Sequence, residues 1–156
     1  MTDSIRQRVH TLGLTLPPPN QPAANYINHL VSQHQLFISG QIPILDGKPA
    51  YIGRLGDSLS DEEGAQAAEL AALGLLGQLS DALGDDLSRV VRILRLGVFI
   101  ASSADFQRQS VVANGASNLL VNALGDKGRH VRTAVGVSSL PAGVAVEVDA
   151  IFELQP

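Results

Sequence analysis

The chain of 156 residues contains no cysteine and no tryptophan. Without thiols there can be no disulfide, no thiolate metal site and no cysteine nucleophile. Aromatic residues make up 4% of the chain and charged residues 17%, so platforms on which nucleobases could stack are scarce. Eleven Lys and Arg stand against fifteen Asp and Glu, a formal net charge of −4. Proteins that draw their affinity from phosphates need the opposite balance, and nucleic acid is disfavoured as a main partner. The four histidines (His10, His29, His34, His130) show no paired spacing, and no metal site is expected. No apolar run is long enough to span a membrane, and "MTDSIRQRVH" lacks the apolar stretch of a signal peptide. The expectation is a cytoplasmic protein with no membrane association.

What is present is a globular composition, 45% hydrophobic and rich in Ala, Gly and Val. That length suits a single domain over residues 1–156, with 1–25 as an N-terminal extension. Charge this sparse suggests surface hidden in an oligomer. Residues 1–14 carry Ile5, Val9 and Leu12 at helical spacing. "LPPPNQPAAN" (16–25) then breaks any helix, and "QLFISGQIPI" (35–44) reads as a strand. "SDEE" from Ser60 to Glu63 is a capping box. It opens a helix with Ala65, Ala68, Ala72, Leu76, Leu79 and Leu83 on one face, stopped by Gly84. Gly74 and Gly77 would let that helix pack closely on a sheet.

Residues 89–101 read as a long strand, with Val90, Leu94, Leu96, Val98 and Ile100 on one face. Residues 105–124 read as a second helix through Val111, Val112, Leu119, Leu120 and Leu124. The chain closes with "GRHVRTAVGVSSLPAGVAVEVDAIFEL", two alternating runs around Leu140-Pro141 that predict an antiparallel hairpin. The fold class expected is α+β, one sheet with two helices packed on one face. In that hairpin Val131, Thr133, Val135 and Val137 would join Val144, Val146, Val148 and Ala150 in facing the helices. Arg132, Ala134, Glu147 and Asp149 would share the uncovered side, Arg132 opposite Asp149 and within diagonal reach of Glu147. Charges on an uncovered face beside small residues mark a pocket floor or an interface.

"SGQIP" near the first strand, and the ordered elements "RTAVGVSSLP" and "VEVDAI" at the end, resemble the Rid family of reactive-intermediate deaminases, also called YjgF-like proteins or L-PSP endoribonucleases. The similarity runs from about Tyr26 to Leu154. It implies a chorismate-mutase-like or ferredoxin-like sheet and a homotrimer whose sheets form a central barrel, with ligand sites in the clefts between subunits. It also implies hydrolysis of enamine or 2-imino acid intermediates to 2-keto acid and ammonia, without a cofactor. Carried over by position, Arg132 matches the arginine that grips the substrate carboxylate, and Glu147 the acid that positions or activates water. Tyr26, Gly40 and Asn114 match ligand-lining positions, and Ala134 stands where many members have cysteine. The Pro-rich start and extra residues around 46–60 and 125–130 make the chain similar to a long-form branch. Two other readings stand beside deamination: a non-catalytic trimer that binds small carboxylates, and an endoribonuclease, against which the acidic balance counts.

Overall fold

At the head of the long helix the Ser60 hydroxyl accepts from the Glu63 amide, and the Glu63 carboxylate accepts from the Ser60 amide. Both orphan donors are satisfied as the sequence predicts. The computed structural model describes residues 3–156. In chain order it contains α1 (Ile5–Thr11), β1 (His29–Ser32), β2 (Gln35–Gln41), β3 (Ile44–Leu45), β4 (Lys48–Pro49) and α2 (Asp61–Leu83). There follow β5 (Val90–Ala101), α3 (Gln109–Leu124), β6 (Val131–Val137) and β7 (Val146–Leu154). The fold is α+β. Five strands form one mixed sheet in the order β1-β2-β7-β5-β6, and β3 and β4 pair separately.

Helices α2 and α3 pack against each other over one face of this sheet, and Gly84 ends α2 in the left-handed conformation. The buried layer runs from Leu75, Leu76 and Leu79 of α2 and Leu120 of α3 to Leu96, Val98, Val148 and Phe152 of the strands. Phe152 has no exposed surface, and burying a side chain of that size contributes about 2–3 kcal/mol. The helical spacing in residues 1–14 is realised as a third helix, α1, outside the two expected on the sheet. In α1, Ile5 and Val9 are fully buried against α2 and α3, while Leu12 is left exposed.

The sheet departs from the expected one in three ways. First, residues 131–154 do not form a hairpin, because β6 pairs parallel with β5 and β7 inserts between β5 and β2. Two alternating runs are equally compatible with either arrangement. The eight residues from Ser138 to Ala145 are long enough to carry the chain past the end of β5, each strand being about 4.8 Å wide.

Second, β6 presents the opposite face from the one expected. Val131 is 70% exposed and Val135 is exposed, whereas Arg132 and Ala134 turn towards the helices. For β7 the expectation holds, with Val146, Val148 and Ala150 buried and Glu147 and Asp149 on the uncovered side. Third, a register shift between Ile93 and Arg95 buries Ile93 in place of Leu94, as a bulge does to a strict alternation. The short edge strand β1 lay outside the elements read from the sequence.

Candidate active site

The uncovered face is laid out in rows by the strand register. Leu30, Phe37, Ile151, Arg95 and Val131 are successive Cα partners across β1, β2, β7, β5 and β6. Asp149, Gly97 and Thr133 form the next row, and Glu147, Phe99 and Val135 the one beyond. Asp149 accepts from Arg95 at 3.4 Å. Gly97 makes room for this pair, since a Cβ there would stand 2.2 Å from the Asp149 carboxylate.

Gly40 does the same for Glu147. A Cβ at Gly40 would lie 2.1 Å from Glu147 Oε1, so the half-buried carboxyl rests against bare backbone of β2. Two of the residues singled out in the sequence are thus brought together. Burial pushes the Glu147 carboxyl above the usual range, and the charge of Asp149, two residues on, adds to the effect.

Arg132 belongs to a different cluster, on the helix side of the edge strand β6. Its Nη1 donates to Asn114 Oδ1 at 2.9 Å and to Ser117 Oγ at 3.1 Å, both on α3. Ser117 Oγ lies 2.9 Å from His130 Nε2, and His130 Nδ1 lies 2.6 Å from the Gly128 carbonyl. A carbonyl can only accept, so Nδ1 carries the proton, and in the neutral ring Nε2 accepts from Ser117. That leaves the Ser117 oxygen free to accept from Arg132. The chain of bonds fixes the guanidinium at one nitrogen and leaves its remaining donors for a ligand, in the two-pronged form that suits a carboxylate.

Arg132 and Asn114, both implied as site residues by the resemblance, are therefore neighbours, with Ala134 partly buried on the same side of β6. Arg132 and Glu147 are not, because they lie on opposite faces of one sheet. Arg132 registers with Leu96 and Glu147 with Phe99, in place of the diagonal pair expected from a hairpin. Nor does Arg132 meet Asp149, whose partner is Arg95. Tyr26 is 48% exposed ahead of β1, and no hydrogen bond ties it to either cluster. Sequence reasoning passed over Ser117, although three residues from Asn114 on a helix is the spacing of a shared face. Among the described residues no group of three His, Asp or Glu is arranged to hold a metal ion. Among the same residues no helix is long and apolar enough to cross a membrane.

Residues 6–153 match the family described as "YjgF/chorismate mutase-like, putative endoribonuclease". Protein TCP17 of Trypanosoma cruzi is 47% identical over 151 residues, 96% of this chain and 94% of that protein. The crystal structure of Atu1372 from Agrobacterium tumefaciens, described as of unknown function, superposes with a TM-score of 0.91 at 43% identity. It is matched over 97% of this chain and 92% of its own. A crystal structure from Shewanella oneidensis, titled a putative endoribonuclease, gives a TM-score of 0.93 at 33% identity, over 97% of this chain and 100% of its own. The mixed sheet and its helix layer accord with these matches, and the chain belongs to the YjgF/chorismate mutase-like family.

Proposed function

We propose that the protein is a cytoplasmic hydrolytic deaminase of enamine-derived 2-imino acids, active as a homotrimer and independent of a cofactor. The observation that carries this reading is the separation of Arg132 and Glu147 onto opposite faces of the sheet. Each is prepared as half of a site, and a second copy is needed to supply the other half. The three successive apolar residues Leu30, Phe37 and Ile151, beyond which the row continues through Arg95 to Val131, support the same assembly, because they would leave water when another copy covers them.

In the cleft so formed, Arg132 holds the substrate carboxylate, steadied by Asn114 and Ser117. The imine carbon is already electrophilic, so the chemistry needs orientation and proton transfer more than activation. Glu147 of the adjoining copy, its carboxyl held up by burial, gives its proton to the imine nitrogen. The resulting carboxylate takes a proton from water as the water oxygen bonds to C2. That proton passes to the nitrogen of the tetrahedral adduct; as the C–N bond breaks and ammonia leaves, the C2 hydroxyl gives its proton back to Glu147, which restores the acid and leaves a 2-keto acid.

The test is ammonia and pyruvate release from enzymatically generated 2-iminopropanoate, with native protein and Arg132→Ala. Acceleration by the native protein alone supports the reading. Saturable binding of small carboxylates without release would replace it with a binding trimer. RNA cleavage with steep salt dependence would replace it with the endoribonuclease named in the family description.

A further inference from the structure

A cavity of about 460 Å³ lies on the helix side of the sheet, between α2, the loop after β2 and the Pro-rich N-terminal segment. Its walls are largely apolar and include Leu14, Pro17, Ile44, Leu70 and Leu73. The volume is that of a small-ligand pocket. The N-terminal segment is held close to α2 because Gly77 leaves it space. A Cβ there would stand 3.0 Å from the Pro17 carbonyl oxygen.

Two glutamines line this apolar space, and both are nearly inaccessible, Gln41 at 5% and Gln78 at 1%. Gln41 Nε2 donates to the backbone carbonyls of Ser39 and Gly40, at 3.1 and 3.4 Å, and its Oε1 receives no hydrogen bond among the described residues. Among the described residues Gln78 makes no side-chain hydrogen bond, and its Oε1 is buried without a partner. Leaving a buried amide unmatched costs about 1–3 kcal/mol. Gln78 Oε1 is such a group, and with the unmatched Oε1 of Gln41 and the unmatched Nε2 of Gln78 lining the same cavity the pair is complementary to a molecule that brings a donor and an acceptor. Gly74 keeps the approach open, as a Cβ there would come within 3.3 Å of Gln41 Oε1.

Charge narrows the class of ligand. No Lys, Arg or His lines the cavity, and its one ionisable residue is Asp46. A carboxylate or phosphate would find no counter-charge and would lose its hydration. An uncharged amide can satisfy both glutamines while its carbon body fills the apolar part.

We propose that this cavity is a second binding site, selective for uncharged small molecules with an apolar body and an amide-type head. It is independent of the cleft at Arg132 and Glu147, lying on the other side of the sheet from Glu147 and using neither residue.

The experiment compares pentanamide with pentanoate, which share a chain and differ in head group and charge. Each is titrated at neutral pH into uniformly ¹⁵N-labelled native protein, following the side-chain amide signals of Gln41 and Gln78. Pentanamide is expected to shift both saturably in the millimolar range, and pentanoate to bind at least fivefold more weakly. Gln78→Met keeps the side-chain length and removes the unmatched amide. It should fold, melt higher than native and bind pentanamide at least fivefold more weakly. Gln41→Met provides the same comparison from the opposite wall. The proposal is overturned if pentanamide gives no saturable shift, if pentanoate binds equally well, or if both variants bind like native protein.

Discussion

Arg132 and Glu147 project from opposite faces of the same sheet, Arg132 bonded to Asn114 and Ser117 on the helix side and Glu147 resting on Gly40 on the other. One chain cannot bring them to a single substrate.

This relationship predicts complementation. Arg132→Ala and Glu147→Gln should each be inactive alone in imine hydrolysis. When the two are unfolded together and refolded at equal amounts, activity should return to about a quarter of native if each site of the proposed cyclic trimer draws its arginine and glutamate from different subunits. Zero recovery from well-folded mixed trimers would mean that the two residues do not share a site.

Gly40→Ala separates activity from stability. The new Cβ would meet only the end of the flexible Glu147 side chain, so the fold should lose less than about 1 kcal/mol. The carboxyl would be displaced by an ångström or more, and hydrolysis should fall by about 10–100-fold. Thermal melting and kcat/KM, measured on the same preparation, check both halves of this expectation.

The raised Glu147 carboxyl has a consequence for stability. Its folded pKa lies above the unfolded value, so the folded state binds more protons between the two, and ionisation at higher pH weakens the fold. Glu147→Gln should therefore melt higher than native at pH 8. The advantage should shrink as pH falls through the folded value and vanish near the unfolded value of about 4.3. A melting difference that stays constant from pH 8 to pH 4 would contradict this assignment.

Asp85 has the opposite sign. Burial opposes its charge, yet hydrogen bonds from the Ser4 hydroxyl, the Arg6 amide and the Ser80 hydroxyl hold its carboxyl below the usual range. These bonds dock α1, so their contribution is fully present above the unfolded value of about 3.9 and is lost as pH falls through the lower folded value. Asp85→Asn, which tolerates the positive φ of 63° at this position, should cost about 1–2 kcal/mol at neutral pH. Hydrogen exchange should show the loss concentrated in residues 5–11.

The sequence by itself determined the local elements. The capping box at Ser60, the stop at Gly84, the apolar spacing of α1, α2 and α3 and the alternation of β7 all depend on neighbours a few residues apart. Their periodicity is therefore visible in one dimension. The match to the family follows from short motifs in the same way, and it was the resemblance that carried over Arg132 and Asn114, which the structure places side by side.

Tertiary structure alone decided which strand sits beside which. Alternation in 131–137 fits either face and either neighbour, and the choice was made when α3 returned the chain parallel to β5 and β7 filled the space between β5 and β2. That crossover turned Arg132 towards the helices and left Glu147 on the uncovered side. The cavity at Gln41 and Gln78 is likewise a product of three segments distant in sequence. A period of two specifies that a strand has two faces, while the packing of the whole sheet specifies what each face meets.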